Sequence, residues 1–291
     1  MSNSTIGLLS WQSTEVTIYV GSFLFILGIV GNPITLLIFL SLQTFRQSSC
    51  AFYLIIMCIA NTCNLCPVLL TFIVTNGFYI NWTNGSLFYC KFRAYIVQVL
   101  LLTSLSCMCL AIIDQFLATC INPRWHRFNN IKLARCIIIG LVILYSFWDI
   151  PFLLYYNHAT SSTAIGPVCT ITNPTFRYYN YYFYRPGITI GLPATVEITF
   201  GLLAYRNVRQ GIYRTVPLVR RELDKQLTTM VLVQVIFNVI VFIPTTVAYT
   251  FSTIYNTTSD RLLLAKLDFL QNISSIIAYA HPVVNNRYFQ F

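Results

Sequence analysis

Four long stretches of this chain contain no charged residue, and each is long enough to cross a lipid bilayer as a helix. A membrane-spanning helix needs about 20 apolar residues. The apolar run over residues 18–40 does not alternate with polar residues, as strands of a membrane barrel would. The pattern therefore predicts an all-α membrane protein. The uncharged stretches lie between Glu15 and Arg46, Arg46 and Lys91, Arg93 and Asp114, and Lys225 and Asp260.

The composition supports this fold class. Only 9% of the residues are charged, whereas a soluble domain carries about 25%. Hydrophobic residues make up 56% of the chain, and the mean hydropathy is +0.67. These values exclude an ordinary soluble enzyme or binding domain.

The apolar stretches predict seven helices in a single domain over residues 1–291. The fifth and the seventh are the least apolar, because one contains Glu197 and the other carries Lys266 and Asp268 near its start. An odd number of spans without an internal repeat argues against a transporter built from two matching halves. The predicted helices cover residues 16–41, 51–76, 92–121, 134–156, 186–209, 226–254 and 263–285.

Basic residues are distributed unequally between the two sets of loops. Twelve of the 18 Lys and Arg residues fall on one side and six on the other. Loops rich in Lys and Arg stay in the cytoplasm, so the N-terminus is predicted outside and the C-terminus inside. The net charge of +10 follows largely from this topology, and no nucleic-acid partner is predicted. No cleaved signal peptide is expected, because the first apolar stretch is a full span.

Glycosylation sequons agree with this orientation. Asn-X-Ser/Thr accepts sugar in the secretory pathway, and four such sequons lie on the predicted outer side. A further match at Asn272 falls inside the last helix, where no glycosylation is expected. The predicted acceptors are Asn3, Asn81, Asn84 and Asn256.

Short motifs in a fixed order carry a family resemblance. The chain resembles the rhodopsin-like (class A) G-protein-coupled receptors over most of its length. The matching residues are Gly31-Asn32 in the first helix, Trp82, Gly85 and Cys90 at the first outer loop, Asp114-Gln115-Phe116 in place of Asp-Arg-Tyr, Pro193 in the fifth helix, Phe242-Ile243-Pro244 in place of Trp-x-Pro, and His281-Pro282-Val283-Val284-Asn285 in place of Asn-Pro-x-x-Tyr.

The resemblance implies a disulfide between Cys90, at the start of the third helix, and Cys169 in the second outer loop. The outer face of a cell is oxidising, which permits such a bond. The β-branched run around Cys169 favours a strand of a hairpin. The bridge is expected to hold this hairpin over the third helix as the rim of a pocket.

The cytoplasmic coupling site departs from the family pattern. Asp114 and Phe116 flank Gln115, which replaces the family's Arg, and Asp224 matches the acid that pairs with that Arg in the inactive state. A neutral amide bonds a carboxylate about half as strongly as a charged partner does. The contact between Gln115 and Asp224 that would hold the inactive state is therefore expected to be weak. The result would be either raised basal signalling or poor coupling to the G protein, and we favour poor coupling.

The polar network between the helices is altered as well. Asn61 replaces the family's sodium-binding Asp, and Ser104 and Asn32 match family positions. Little sodium modulation is expected, because a hard cation prefers negatively charged oxygen ligands. Asn61 is either a helix contact or a relay in activation. His281, before Pro282, is either a proton-sensitive switch or a neutral hydrogen-bonding group.

Two family positions exclude particular classes of ligand. Val97 stands where amine receptors have an Asp, and Ser275 stands where opsins have the retinal Lys, so neither a biogenic amine nor a covalent chromophore is expected.

Asp149 and Glu197 lie within spans, where ionisable groups are usually functional. Asp149 either contacts ligand or reaches interfacial water, and Glu197 either serves ligand or relay functions or forms a structural hydrogen bond. The predicted pocket residues are Val97, Gln98, Asp149, Glu197, Phe242, Tyr249, Gln271 and Ser275.

The segment over residues 176–185 is rich in aromatic rings. It is either an interfacial belt at the start of the fifth helix or a surface that recognises a peptide or an aromatic molecule.

The sequence predicts a plasma-membrane receptor rather than an enzyme. Its expected partners are an extracellular peptide or small neutral molecule, a heterotrimeric G protein and the lipid bilayer. No cofactor or metal is predicted. The alternatives are a seven-span transporter or channel, and a receptor-like decoy that does not signal.

Overall fold

The computed structural model describes residues 2–41, 48–120, 130–160, 167–209, 218–255 and 261–280. Within these ranges, seven long helices and one hairpin form the fold. The helices are α1 (Ser2–Ser41), α2 (Ser49–Leu65, Cys66–Leu70 and Thr71–Asn76), α3 (Leu87–Thr119), α4 (Ile131–Trp148 and Ile150–Tyr155), α5 (Pro174–Tyr179, Asn180–Gly191 and Leu192–Arg209), α6 (Leu218–Tyr255) and α7 (Arg261–Ala278), with a short helix, Trp82–Gly85, before α3.

The all-α membrane fold that the sequence predicted is confirmed. Among the described helices, six are long and apolar enough to cross a membrane. Helix α7, which carries Arg261, Lys266 and Asp268, is not among these six. Large apolar side chains remain exposed on the outside of the bundle, as expected for contact with lipid tails. They include Leu37, Ile139, Phe147, Leu202 and Ile236.

Hydrogen bonds between polar side chains join neighbouring helices. Ser49 Oγ donates to Asp114 Oδ1 at 2.7 Å and links α2 to α3. Tyr95 donates to the Ser146 carbonyl at 3.0 Å and links α3 to α4. Thr245 donates to the Ser274 carbonyl at 3.0 Å and links α6 to α7. Because such groups find no water in hydrocarbon, each bond favours one packing of the helices.

An antiparallel hairpin joins α4 to α5. Strand β1 (Tyr156–Thr160) pairs with β2 (Pro167–Ile171), and His158 lies opposite Cys169. The predicted disulfide between Cys90 and Cys169 is confirmed, and it ties β2 to the first turn of α3. We call this side of the bundle the disulfide end, and the opposite side the Asp114 end.

Three helices begin well before the residues that their hydropathy predicts, and one of them, α6, starts at Leu218 rather than at residue 226. Helix α1 starts at Ser2 rather than near residue 16, and its polar first half is held by neighbours, since Thr14 hydrogen-bonds Tyr79 at 2.8 Å. Helix α5 starts at Pro174 rather than at residue 186. The Asn173 side chain caps it by accepting from the Phe176 amide at 3.0 Å.

The middle of α5 is a wide π-helical segment, Asn180–Gly191, which contains Pro186. Proline has no amide hydrogen and so interrupts the regular helical ladder. After it, the Leu192 amide donates to the Gly187 carbonyl, five residues back. Neighbouring helices stabilise such irregular turns in membranes. Residues of this segment border the cavity described next.

Candidate functional site

A cavity of about 240 Å³ lies between α2, α3, α5, α6 and α7. Apolar side chains form much of its wall, among them Leu101, Leu105 and Ile190. Enclosed, largely apolar cavities between helices are the usual sites of small ligands. Five predicted pocket residues line it: Val97, Gln98, Phe242, Tyr249 and Ser275.

Gln271 lies elsewhere. It borders an open cleft of about 640 Å³ between α1, α2 and α7, and Ser275 borders both spaces. On the cleft wall, Asn272 donates hydrogen bonds to Ser13 and to Thr17 of α1. The cavity and the cleft therefore meet at Ser275, and Gln271 belongs to the cleft alone.

Glu197 borders a third space, a small cavity of about 100 Å³ that shares Leu105, Thr189 and Phe242 with the first. Its side chain is buried, and both carboxylate oxygens lie 3.5 Å from Asn238 Nδ2. This contact favours the structural alternative for Glu197, a bond between α5 and α6.

Asp149 does not line the cavity. It sits at the break in α4 with no exposed surface, and its Oδ1 accepts a hydrogen bond from the Tyr184 hydroxyl at 2.7 Å. In this structure the carboxylate is therefore covered rather than open to a ligand or to interfacial water, and ligand contact at Asp149 stays a prediction. The reason is that Tyr184 turns inward from α5 and covers the carboxylate.

Arg185 lines the cavity although it is not one of the predicted pocket residues. It lies in the wide segment of α5, and its guanidinium carbon stacks 4.1 Å from the centre of the Tyr249 ring. The ring of Tyr181 contacts the same tyrosine with centroids 5.5 Å apart. Tyr181 and Arg185 are four residues apart, which is a helical spacing. The predicted fifth helix began only at residue 186, so this spacing was missed.

The charges of two arginines, Arg185 and Arg93, influence the Tyr156 phenol of β1. Burial raises the pKa of the Tyr156 phenol above its ordinary value, since removal from water disfavours the phenolate, and the charges of Arg185 and Arg93 act against that rise. Arg93 itself donates from Nε to the Pro67 carbonyl at 2.5 Å. Both guanidinium groups are thus close enough to Tyr156 to influence it.

Several polar atoms at the cavity are buried without a partner within the described part of the chain. They are Arg185 Nε, Gln98 Oε1, Asn61 Nδ2 and Asn64 Oδ1. Most buried polar atoms in folded proteins are hydrogen-bonded. The cavity therefore presents both donors and acceptors to whatever enters it.

The predicted polar network is partly described. Ser104 Oγ donates to Asn61 Oδ1 at 2.6 Å, and both side chains are buried. Asn32 is buried in α1. His281 and Pro282 lie outside the described residues, as does the acceptor Asn256, while the side chains of Asn3 and Asp224 are likewise outside the description.

The Asp114 end is tightly packed. Asp114 accepts the hydrogen bond from Ser49, and the Gln115 side chain is only 1% exposed. Phe116 contacts Phe200 of α5 edge to face, with centroids 5.5 Å apart. Gln115 thus lies inside the bundle rather than on its surface.

The hairpin is joined to the segment before α3. The Cys169 amide donates to Asn84 Oδ1 at 3.1 Å, and His158 Nε2 donates to the Thr83 carbonyl at 2.8 Å. Asn84 is half-buried by these contacts, whereas Asn81 is exposed. The two neighbouring sequons therefore differ in their suitability for a sugar.

We expect sugar at Asn81 and not at Asn84, because the Asn84 side chain is half-buried and its Oδ1 is bonded to the hairpin. In a background that lacks the Asn3 and Asn256 sequons, Asn81→Gln should abolish the gel shift on glycosidase treatment. Asn84→Gln should leave it intact. Loss of the shift in Asn84→Gln with its retention in Asn81→Gln would contradict this assignment.

Comparison with known families gives one match. The family model of the seven-transmembrane receptors (rhodopsin family) matches residues 31–285 of the chain. A comparison with curated protein sequences finds no match.

Proposed function

Since this chain belongs to the rhodopsin family of seven-transmembrane receptors, we propose that it is a plasma-membrane receptor that binds an extracellular ligand and activates a heterotrimeric G protein. Family membership makes it a multi-pass membrane protein of the receptor type. The ligand is assigned to the cavity between α2, α3, α5, α6 and α7.

The observation that carries the proposal is the cavity itself. It combines an apolar wall with buried polar atoms that need partners, from Gln98 on α3 to Arg185 on α5. A site of this kind favours ligand binding over simple packing. The disulfide supports an extracellular location for the adjacent hairpin, because disulfides persist in oxidising compartments.

The position of the cavity supports a signalling role. Its wall includes Phe242 and Tyr249 of α6 and Ser275 of α7. A ligand that binds one packing of these helices better than another shifts the population toward that packing. Helix α6 is continuous from this wall to Leu218. A change at the cavity can thereby reach the Asp114 end.

A decoy receptor that binds ligand without signalling is the second candidate. The observation that favours it is the buried, uncharged Gln115 at the position of the family's Arg. We rank it second because the neighbouring Asp114 keeps the family's acidic residue at this motif.

Restoring the charge in Gln115→Arg should raise G-protein activation by about tenfold or more, because one charged interfacial contact contributes at least about 1.4 kcal/mol. The measurement is nucleotide exchange on a panel of heterotrimeric G proteins at matched surface expression. Gln115→Met, similar in length but without charge, is the control and should resemble the wild type. Unchanged or reduced activation in Gln115→Arg would contradict the claim that position 115 limits coupling.

A further inference from the structure

We propose that the ligand is a small organic carboxylate, whose anionic group binds Arg185 and whose apolar body fills the cavity beside it. This inference rests on the proposed function, since it names the chemical class of that receptor's ligand. It replaces the neutral molecule or peptide that the sequence alone suggested.

The first observation is the placement of the guanidinium group. Arg185 borders the cavity, and its guanidinium carbon lies over the Tyr249 ring, 4.1 Å from the ring centre. Stacking on an aromatic face stabilises a cation and also orients it. The edge of an arginine fork remains available for a carboxylate, which it binds through two parallel hydrogen bonds.

The second observation is the lack of a protein carboxylate at this cation. Among the described residues that line the cavity, Arg185 is the only charged one. Asp149 accepts from Tyr184, and Glu197 faces Asn238 in the adjoining space. The Nε atom of Arg185 is buried without an acceptor in the described structure. Since a buried charge is costly unless it is paired, a ligand anion would supply the missing partner.

The third observation is the surrounding set of phenols. Tyr156, Tyr181, Tyr249 and Tyr279 all lie close enough to Arg185 for electrostatic interaction. Their hydroxyl groups can donate to an oxyanion as well as accept from arginine. This arrangement suits a singly charged acid, because the cavity wall supplies one cation.

The size of the cavity limits the rest of the ligand. A volume of about 240 Å³ is below the usual range of about 300–1,000 Å³ for drug-sized ligands. Val97, Leu101, Leu105 and Phe242 provide an apolar wall. A short aliphatic or single-ring acid fits these constraints better than a peptide segment does.

The test compares acids with their uncharged counterparts. The full chain in lipid nanodiscs is titrated with 4-phenylbutyrate and octanoate, and separately with 4-phenylbutyramide and octanamide, while its thermal unfolding is followed. We expect at least one acid to bind about tenfold to a hundredfold more tightly than its amide, as expected for hydrogen bonds to a charged group.

Substitutions show whether Arg185 is the residue that causes the preference for acid over amide. Arg185→Gln should remove the preference for acid over amide, and Arg185→Lys should retain part of it, because a lysine keeps the charge but lacks the fork. Lys91→Gln, which removes a positive charge from α3 without altering the cavity wall, should bind like the wild type. If Arg185→Gln does not fold, the acid-to-amide ratio of the wild type and of Arg185→Lys still decides the question.

The outcomes separate this inference from the proposed function. Equal binding of acid and amide, acid binding that survives in Arg185→Gln, or failure of both acids to stabilise the chain would overturn the carboxylate site. A neutral molecule that activates G protein equally in wild type and Arg185→Gln would overturn it while supporting the receptor. An acid that binds through Arg185 without altering nucleotide exchange would support the site and contradict the receptor function.

Discussion

Replacing Cys169 by Ser is expected to remove most of the receptor from the cell surface and to abolish most ligand binding. The disulfide joins the hairpin to α3 across a sequence separation of 79 residues. Loss of a native disulfide typically costs about 2–5 kcal/mol of stability. That is a large part of the stability of most folded domains, about 5–15 kcal/mol.

Besides the bridge, the hairpin is held by Ile171, which packs in a cluster with Leu102 of α3, and by two hydrogen bonds to the segment before α3. Asn84 accepts from the Cys169 amide, and His158 donates to Thr83. Each neutral hydrogen bond contributes only about 0.5–1.5 kcal/mol. The hairpin is therefore expected to detach from α3 in a large fraction of molecules.

Surface labelling of intact cells and thermal unfolding of the purified chain would measure this effect. Cys90→Ser should behave like Cys169→Ser, since either change leaves the partner unpaired. Cys136→Ser is the matched control, because Cys136 is a free, exposed cysteine of α4. Surface levels and unfolding temperature of Cys169→Ser equal to those of the wild type would show that the bridge is dispensable.

The helices could be predicted from the sequence because hydropathy is a local signal. The disulfide could be predicted because the family motifs imply it. A charge-free apolar run identifies a membrane-spanning helix from its own residues, whichever helices pack against it in the fold. Val97 was predicted as a pocket residue because it matches a ligand-binding position of the family, and it borders the cavity, as does Tyr249.

The partners of Asp149 and the role of Arg185 depended on contacts between helices. Hydropathy indicated that Asp149 is unusual, but only the packed bundle reveals that Tyr184 covers it. Helix α5 begins at Pro174, so Phe176, Asn180 and Tyr184 form a buried row four residues apart. Their aromatic and polar character resembled an interfacial belt, which concealed this helical period.

Filling the cavity is expected to have the second large effect. Val97 lies on the α3 wall of the cavity, next to Gln98 in the chain. In Val97→Trp the indole ring would occupy space that the ligand needs. We expect activators to lose at least about a hundredfold in potency, equivalent to about 2.8 kcal/mol of binding free energy.

A matched variant separates this effect from general damage. Ile139 lies on α4, and 60% of its side chain is exposed on the outer surface of the bundle. Ile139→Trp adds the same ring to the lipid-facing side and should leave potency unchanged. Thermal unfolding of both variants shows whether either replacement destabilises the bundle.

The most direct test of a receptor with its ligand site in this cavity is a screen of small molecules for G-protein activation in cells that express the wild-type chain. Each activator is then titrated on Val97→Trp and Ile139→Trp at matched surface expression. We predict activators whose response is lost in Val97→Trp and retained in Ile139→Trp. Activators that act with equal potency on both variants would contradict the assignment of the ligand to this cavity.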